Sequence, residues 1–398
     1  MKSALQYCFS LLLPALVLGG FTAHAQLPSP PPDHIIVIVE ENLSYTEILG
    51  PSGASHCPYI NALAANPSYS AVFTNSYAIT HPSQPNYLDL YAGSDQGTNG
   101  TDAIPTTTPW TTDNLGAQLL AAGKTFVTYS ENMPSEGYLG TSSGLYYRKH
   151  NPVAYWEATG TPGTNQYGPS LNKIYPADFP APASYSTLPT VSFLIPNSVN
   201  DMHDGTYPSS ATTGDTWLSS NLPNLVSWAL ANNTLIIITF DEDDGSEGNQ
   251  IATIFYGPMV KGGSYSEHIT HYNVLRTIEN LYGLPYAGNA ATATTITDCW
   301  RASGTGPWLG INSAENTISF SVFPNPTKAE ITFTSSTAVN ASTSIVVCDA
   351  VGRAAGNYSF SGSSLTINTS DYAPGFYCYK VISENGVATG EGKFVIEK

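Results

Sequence analysis

The 398-residue sequence predicts an α/β protein, a mainly parallel sheet flanked by helices, followed by a small all-β sandwich. Three observations carry this reading. Continuous apolar, β-branched runs alternate with helical stretches, and polar or acidic clusters follow directly on two of those runs. Near Ser319 the pattern changes to short alternating strands with Gly and Ser turns.

The first run, residues 35–39, follows a stiff Pro-rich spacer and ends in Glu40-Glu41-Asn42. Val72 and Phe73 near Tyr77, then 126–129, 191–195, 235–240 and 251–256, repeat the pattern of strands buried on both faces. Between them, 114–122 closes at Gly123, 215–231 carries apolar residues at helical spacing, and 272–282 closes at Gly283. In such sheets ligands gather at the carboxyl ends of the strands, and Glu41-Asn42 and 241–244 fall at two of them. The organisation expected is a spacer over 26–33, an α/β domain over 34–302 and a Gly-rich linker over 303–317. The sandwich then occupies 318–398, with strands at 318–323, 331–334, 344–348, 376–382 and 393–396.

Residues 1–25 read as a signal peptide, with Lys2, an apolar stretch over 9–18 and the small-residue signal Ala23-His24-Ala25. The mature chain is therefore expected to be exported. A net charge of -17 with only 13 Lys and Arg argues against a grip on nucleic-acid phosphates or on anionic membranes. Any phosphate the protein handles must be neutralised locally. No other apolar stretch is long enough to span a bilayer. Cys8 leaves with the signal peptide, and Cys348 with Cys378, inside one small module, is the favoured pair over Cys57 with Cys299.

The run His81-Pro82-Ser83-Gln84-Pro85-Asn86, with Gly93 after 87–91, places Ser83 at a helix entrance and makes it the candidate nucleophile. Pro85 suits a first helical turn and Gly93 a C-terminal stop, a geometry that aims free N–H groups at an anion. Ser-Pro is also an ordinary helix N-cap, so the run gains weight only from its company. That company is Asp241-Glu242-Asp243-Asp244-Gly245, directly after an apolar strand. Two carboxylates ~4 Å apart repel by about 4 kcal/mol at an effective dielectric near ~20, so a cluster buried at a strand end calls for a cation. An EF-hand loop fits badly, because Gly245 comes one position early and no closing Glu follows. With Glu41 and Asn42 added, the cluster reads as an oxygen-rich metal site at two strand ends. A metal there would activate the Ser83 hydroxyl and screen an incoming phosphate. No G-x-S-x-G elbow surrounds Ser83, which makes a serine esterase the weaker reading. His150, His203 and His271 stand in contexts where an imidazole could contact a phosphate or protonate a leaving group.

Six ordered motifs, at 34–42, 80–86, 148–152, 195–204, 239–245 and 271–284, make the chain from His34 to Trp300 resemble the secreted acid phosphatase and phospholipase C phosphoesterase family. That family has the alkaline-phosphatase-like fold. The resemblance implies that Glu41, Asn42, Asp241 and Glu242 bind one catalytic divalent metal of unassigned identity, with Ser83 bridging it to phosphorus. It implies further that Asn86, Lys149, His150, His203 and His271 surround the phosphate, with Asp204 also on the substrate. The Asp-x-x-x-His spacing of two-zinc relatives is missing around 197–204, which favours one metal. The tail is similar to the C-terminal sorting domain of the type IX secretion system, through Phe323-Pro324-Asn325-Pro326, 349–353, Gly375-Phe376-Tyr377 and 392–396. This implies export through periplasm and outer membrane by that machinery, to a secreted or cell-surface location.

The expected function is a secreted, metal-dependent phosphomonoesterase working through a phosphoserine intermediate, with His203 or His271 protonating the leaving oxygen. Alternatives are a phospholipase C-like phosphodiesterase, a non-catalytic surface binding protein and a metal-independent serine esterase.

Overall fold

The computed structural model describes residues 27–157, 168, 170–301, 320–349, 354–382 and 388–398. The expected signal peptide and linker lie outside the described residues. The chain divides into two compact units, Met1–Gly310 and Ile311–Lys398.

The first unit is built on an eight-stranded sheet. Its strands are β1 (His34–Glu40), β2 (Ser70–Phe73), β3 (Phe126–Glu131), β4 (Asn172–Tyr175), β5 (Val191–Ile195), β6 (Thr234–Phe240), β7 (Thr253–Tyr256) and β8 (Gly263–Tyr265). Their order across the sheet is β8-β2-β7-β6-β1-β5-β3-β4. The five strands from β6 to β4 are parallel, and β7 runs antiparallel to β6 and β2. The sheet is therefore mainly parallel, as expected. The fourth and eighth strands, too short and polar to stand out in the sequence, complete its edges.

Alternation along β1 explains its unbroken apolar run. Ile35, Val37 and Val39 enter one core with Leu88, Tyr91, Leu275 and Ile278, while Ile36 and Ile38 enter the other with Trp217, Leu218 and Leu225. Helices α1 (Ser83–Ala92), α2 (Leu115–Ala121) and α5 (His271–Tyr282) supply the first core; α3 (Ser209–Asn221) and α4 (Pro223–Ala231) supply the second. The sequence suggests one helix over 215–231. The structure starts it earlier and splits it at Pro223, whose ring cannot continue the preceding helix.

All ten residues of α1 are buried, so no face of this helix is left to solvent. It stops at Gly93, in the left-handed region at φ 65°, where a Cβ would sit 2.2 Å from the Ala287 carbonyl oxygen. Only glycine fits there.

The second unit is one antiparallel sheet of five strands: Phe320–Phe323, Glu330–Asp349, Ala354–Asn368, Gly375–Ile382 and Ala388–Ile396. Register shifts between Thr334 and Thr343 interrupt the long second strand, and both of its halves line a single core with Phe360, Tyr379 and Phe394. Cys348 and Cys378 face each other across neighbouring strands as the sequence pairs them, but the four cysteines among the described residues are free thiols.

Candidate active site

Parallel register assembles the site. His34–Glu40 pairs residue for residue with Thr234–Phe240, so the next residues of the two strands, Glu41 and Asp241, come level at their carboxyl ends. Asp241 N–H donates to the Glu40 carbonyl (2.9 Å), and Glu41 N–H donates to the Asp201 carbonyl in the loop after β5 (2.7 Å). Asn42 turns the chain away in the left-handed region at φ 57°, which Asn tolerates, and its N–H donates to Asp241 Oδ1.

Ser83, the first residue of α1, enters this cluster. Its hydroxyl donates to Glu242 Oε1 (3.2 Å) and Glu41 Oε2 (3.4 Å), and Ser83 is 1% exposed. One turn on, Tyr87 O–H donates to Glu41 Oε1 at 2.7 Å. The helix entrance is less open to an anion than the sequence suggests. Gln84 N–H already donates to Asp102 Oδ1 (3.0 Å), and Pro85 has no N–H to offer. The protein's own carboxylate occupies part of that positive end.

Asn86, expected on the substrate, builds the preceding loop instead. Its Oδ1 accepts from the N–H groups of Ile79 and Thr80, and its Nδ2 donates to the Thr80 carbonyl and lies 3.4 Å from Glu242 Oε2. His81, quoted in the sequence motif without a role, bridges Glu242 Oε2 (2.9 Å) and Asp243 Oδ1 (3.0 Å).

A cationic side faces this acidic one across Glu41. His150 lies 2.8 Å from Glu41 Oε1 and 3.3 Å from Asp201 Oδ2, stacked on the Tyr87 ring. His203 Nε2 is 3.9 Å from Glu41 Oε2 and 3.3 Å from Lys149 Nζ. Glu41, His150 and His203 bring ligand atoms within 4.8 Å of one another. Lys149 is held at 2.8 Å by Asp102 Oδ2. Asp204, expected to touch the substrate, holds His203 Nδ1 at 3.1 Å and accepts the Ser198 hydroxyl.

His271 lies away from these imidazoles. It is 1% exposed, its Nε2–H donates to the Asp241 carbonyl oxygen (2.7 Å), and burial lowers its pKa to about 4. A neutral imidazole tied to backbone is a poor proton donor to a leaving group, which corrects the expectation that His271 could serve as the acid. It positions Asp241 instead.

The electrostatics divide along the same line. Burial would raise Glu41, but His150, His203 and Lys149 hold it down at about 2. Burial would lower His150, but Glu41 and Asp201 lift it to about 9. On the other side, burial and the charge of Glu41 push Asp241 well above the carboxylate range; Glu242, which His81 partly relieves, rises to about 7. Asp241 Oδ2 is buried without a hydrogen-bond partner among the described residues. Crowded carboxylates around one hydroxyl, with an orphaned buried oxygen, fit a divalent cation. Glu41, Asp241, Glu242 and Ser83 would hold it, and a half-turn of the Asn42 amide would present that oxygen too.

Sequence reasoning missed Asp102, Asp201, Tyr87 and His81 as functional groups. Asp201 and His81 lie inside motifs already singled out, and Tyr87 follows directly on one of them. Asp102 had no local signal, because its partners Gln84 and Lys149 are distant in sequence.

Residues 53–285, more than half of the chain, match the phosphoesterase family, and residues 321–397 match the secretion system C-terminal sorting domain. A phosphatidylinositol-3-phosphatase of Mycobacterium tuberculosis is 45% identical over 274 residues, covering 67% of this chain and 82% of that protein. An acid phosphatase of Aspergillus fumigatus is 30% identical over 236 residues, covering 56% of this chain and 50% of its own. The chain thus spans about half the length of the fungal acid phosphatases it matches. A solved protein of the alkaline phosphatase superfamily from Vibrio parahaemolyticus has a TM-score of 0.47 at 10% identity, covering 77% of this chain and 76% of that one. The sorting domain marks the protein for export, to a secreted or surface-attached location. Among the described residues no helix is long and apolar enough to cross a membrane. With a family match over residues 53–285 and a relative 45% identical over 274 residues, the chain belongs to the phosphoesterase family and is a phosphoric ester hydrolase.

Proposed function

We propose that the protein is a metal-dependent phosphomonoesterase with Ser83 as nucleophile, delivered by its tail to the type IX secretion machinery. The observation that carries this is the Ser83 hydroxyl, buried at a helix start and donating to Glu41 and Glu242 beside Asp241, whose Oδ2 has no hydrogen-bond partner among the described residues.

As Ser83 Oγ attacks phosphorus, its proton leaves to Glu242 Oε1, and the bond from phosphorus to the leaving oxygen breaks. A divalent cation on Glu41, Asn42, Asp241, Glu242 and Ser83 supplies hydroxyl activation and charge neutralisation when bound. Lys149, held by Asp102, faces the developing phosphoryl charge. His203, partly exposed and oriented by Asp204, protonates the leaving oxygen. Water then hydrolyses the phosphoserine and frees the Ser83 hydroxyl. His150, lifted to about 9, stays protonated near neutrality and adds positive charge beside Glu41.

A second reading, a phospholipase C-like phosphodiesterase, draws on Leu139 and Leu145, exposed shortly before Lys149 and His150. One experiment separates the two: hydrolysis of p-nitrophenyl phosphate against bis-p-nitrophenyl phosphate, before and after chelation and metal add-back. Monoester preference abolished by chelator is expected. Diester preference would favour the second reading, and full activity in chelator would remove the metal from the proposal.

A further inference from the structure

Met202 stands between two residues of the site, Asp201 and His203, and its backbone lies in the left-handed region at φ 78°. Among the described residues, every other non-glycine residue with positive φ is Asn or Gln. Short amides tolerate that region because they can hydrogen-bond locally, whereas a methionine gains nothing there and must be held by its surroundings.

The backbone is tied on both sides of Met202. Asp201 N–H donates to the Asn197 carbonyl (2.8 Å), and Asp204 N–H donates to the Ser198 carbonyl (2.6 Å). His203 N–H donates to Asp201 Oδ1 (2.9 Å), closing a turn of the kind whose positive-φ position ordinarily takes Gly or Asn.

The side chain explains why methionine stands there. Met202 is 1% exposed, in the second core with Ala211, Trp217 and Leu218 of α3. Gly214, inside α3, makes room for it: a Cβ on Gly214 would sit 2.4 Å from Met202 Cγ and 2.6 Å from Met202 Cε, and 2.9 Å from the Asn200 carbonyl oxygen. Alanine is the better helix former, so this glycine serves close approach at a cost to the helix. The neighbours of Met202 meanwhile engage the site. Asp201 Oδ2 is 3.3 Å from His150 Nδ1, the Asp201 carbonyl accepts from Glu41 N–H, and His203 Nε2 is 3.3 Å from Lys149 Nζ.

We infer that Met202 is a positioning residue: seated against Gly214, its side chain holds the strained turn that keeps the His203 imidazole at the leaving oxygen. The inference rests on the reading of His203 as the acid. Asp204 orients the ring, and the Met202 seat fixes the backbone that carries it.

The test compares kcat/KM for phenyl phosphate and p-nitrophenyl phosphate, with the same metal throughout. Phenolate is the poorer leaving group, so its ester depends more on a placed proton donor. Gly214→Ala favours the helix but drives a methyl group into the seat. It should lower kcat/KM for phenyl phosphate about tenfold and for p-nitrophenyl phosphate only about twofold, with an unchanged circular dichroism spectrum. Met202→Gly suits the turn's backbone but empties the seat, and should show the same bias toward loss on phenyl phosphate. His203→Ala calibrates the signature, with a loss on phenyl phosphate about tenfold or more beyond that on p-nitrophenyl phosphate. If His203→Ala shows this bias while either folded seat variant loses equally on both esters, or loses nothing, the inference is overturned and the acid assignment stands. If His203→Ala shows no bias, the acid assignment falls and the inference falls with it.

Discussion

On one side of Glu41 stand His150, His203 and Lys149; on the other stand Asp241, Glu242 and the Ser83 hydroxyl. The first side is electrically complete. His150, His203 and Lys149 hold Glu41 at about 2, and Asp201, Asp204 and Asp102 hold these three side chains in turn. The second side is short of positive charge: burial and Glu41 raise both of its carboxyls, and among the described residues only the His81 ring bridges Glu242 and Asp243. The difference is the ground for proposing a cation on the second side. It also separates groups that bind charge from groups that build charge during reaction.

The largest effect should come from removing the hydroxyl where the two sides meet. Ser83→Ala is expected to cut p-nitrophenyl phosphate turnover by about 10⁴-fold or more with an unchanged circular dichroism spectrum. Near-normal turnover in the folded variant would end the nucleophile assignment.

Next in size, Glu242→Gln on the carboxylate side should lower turnover about 10²-fold to 10³-fold and weaken divalent-metal binding measured by calorimetry. Undiminished metal affinity would place the cation elsewhere in the site, and the Glu41, His150 and His203 group would become the favoured position.

On the cationic side, Asp102→Asn should raise KM for p-nitrophenyl phosphate about tenfold with a smaller change in kcat, because Lys149 loses the carboxylate that holds it. An equal fall in kcat and no change in KM would assign Asp102 to the nucleophile helix through Gln84 instead.

The smallest effect lies away from both sides. Burial lifts Asp89 on α1 to about 7, with the Tyr272 hydroxyl as its donor. A carboxyl whose folded pKa exceeds its unfolded value favours folding at low pH. That contribution is fully present below the unfolded pKa near ~4 and is lost as pH rises through about 7. Urea denaturation should therefore find the protein less stable at pH 8 than at pH 5, and Asp89→Asn should reduce that slope by about 2 kcal/mol. A slope unchanged in the variant would show that Asp89 is ionised in the folded protein.

Much of the frame was legible in the chain. The 35–39 and 235–240 runs announced the central strands because a strand buried on both faces needs apolar side chains at every position. Gly93 and Gly283 announced helix ends because the left-handed region favours glycine. The split at Pro223 and the edge strands β4 and β8 were missed or blurred, since short elements with weak periodicity take their conformation from neighbours. In the site, Ser83 with Glu41, Asp241 and Glu242 was legible from a helix entrance and acidic strand ends. The roles of Asn86, Asp204 and His271 were not, because each depends on which groups lie opposite.

The sequence by itself determined the class of sheet, the change of architecture near Ser319, and the serine, carboxylates and imidazoles available for phosphate chemistry. Those are properties of local periodicity and residue type. Only the tertiary structure decided that β1 and β6 pair so that Glu41 meets Asp241, that Asp102 reaches both Gln84 and Lys149, and that His271 is sealed in against the Asp241 backbone. The reason is physical: pairing register and burial are set by contacts between residues tens to hundreds of positions apart, and they, more than residue identity, determine which buried group is charged.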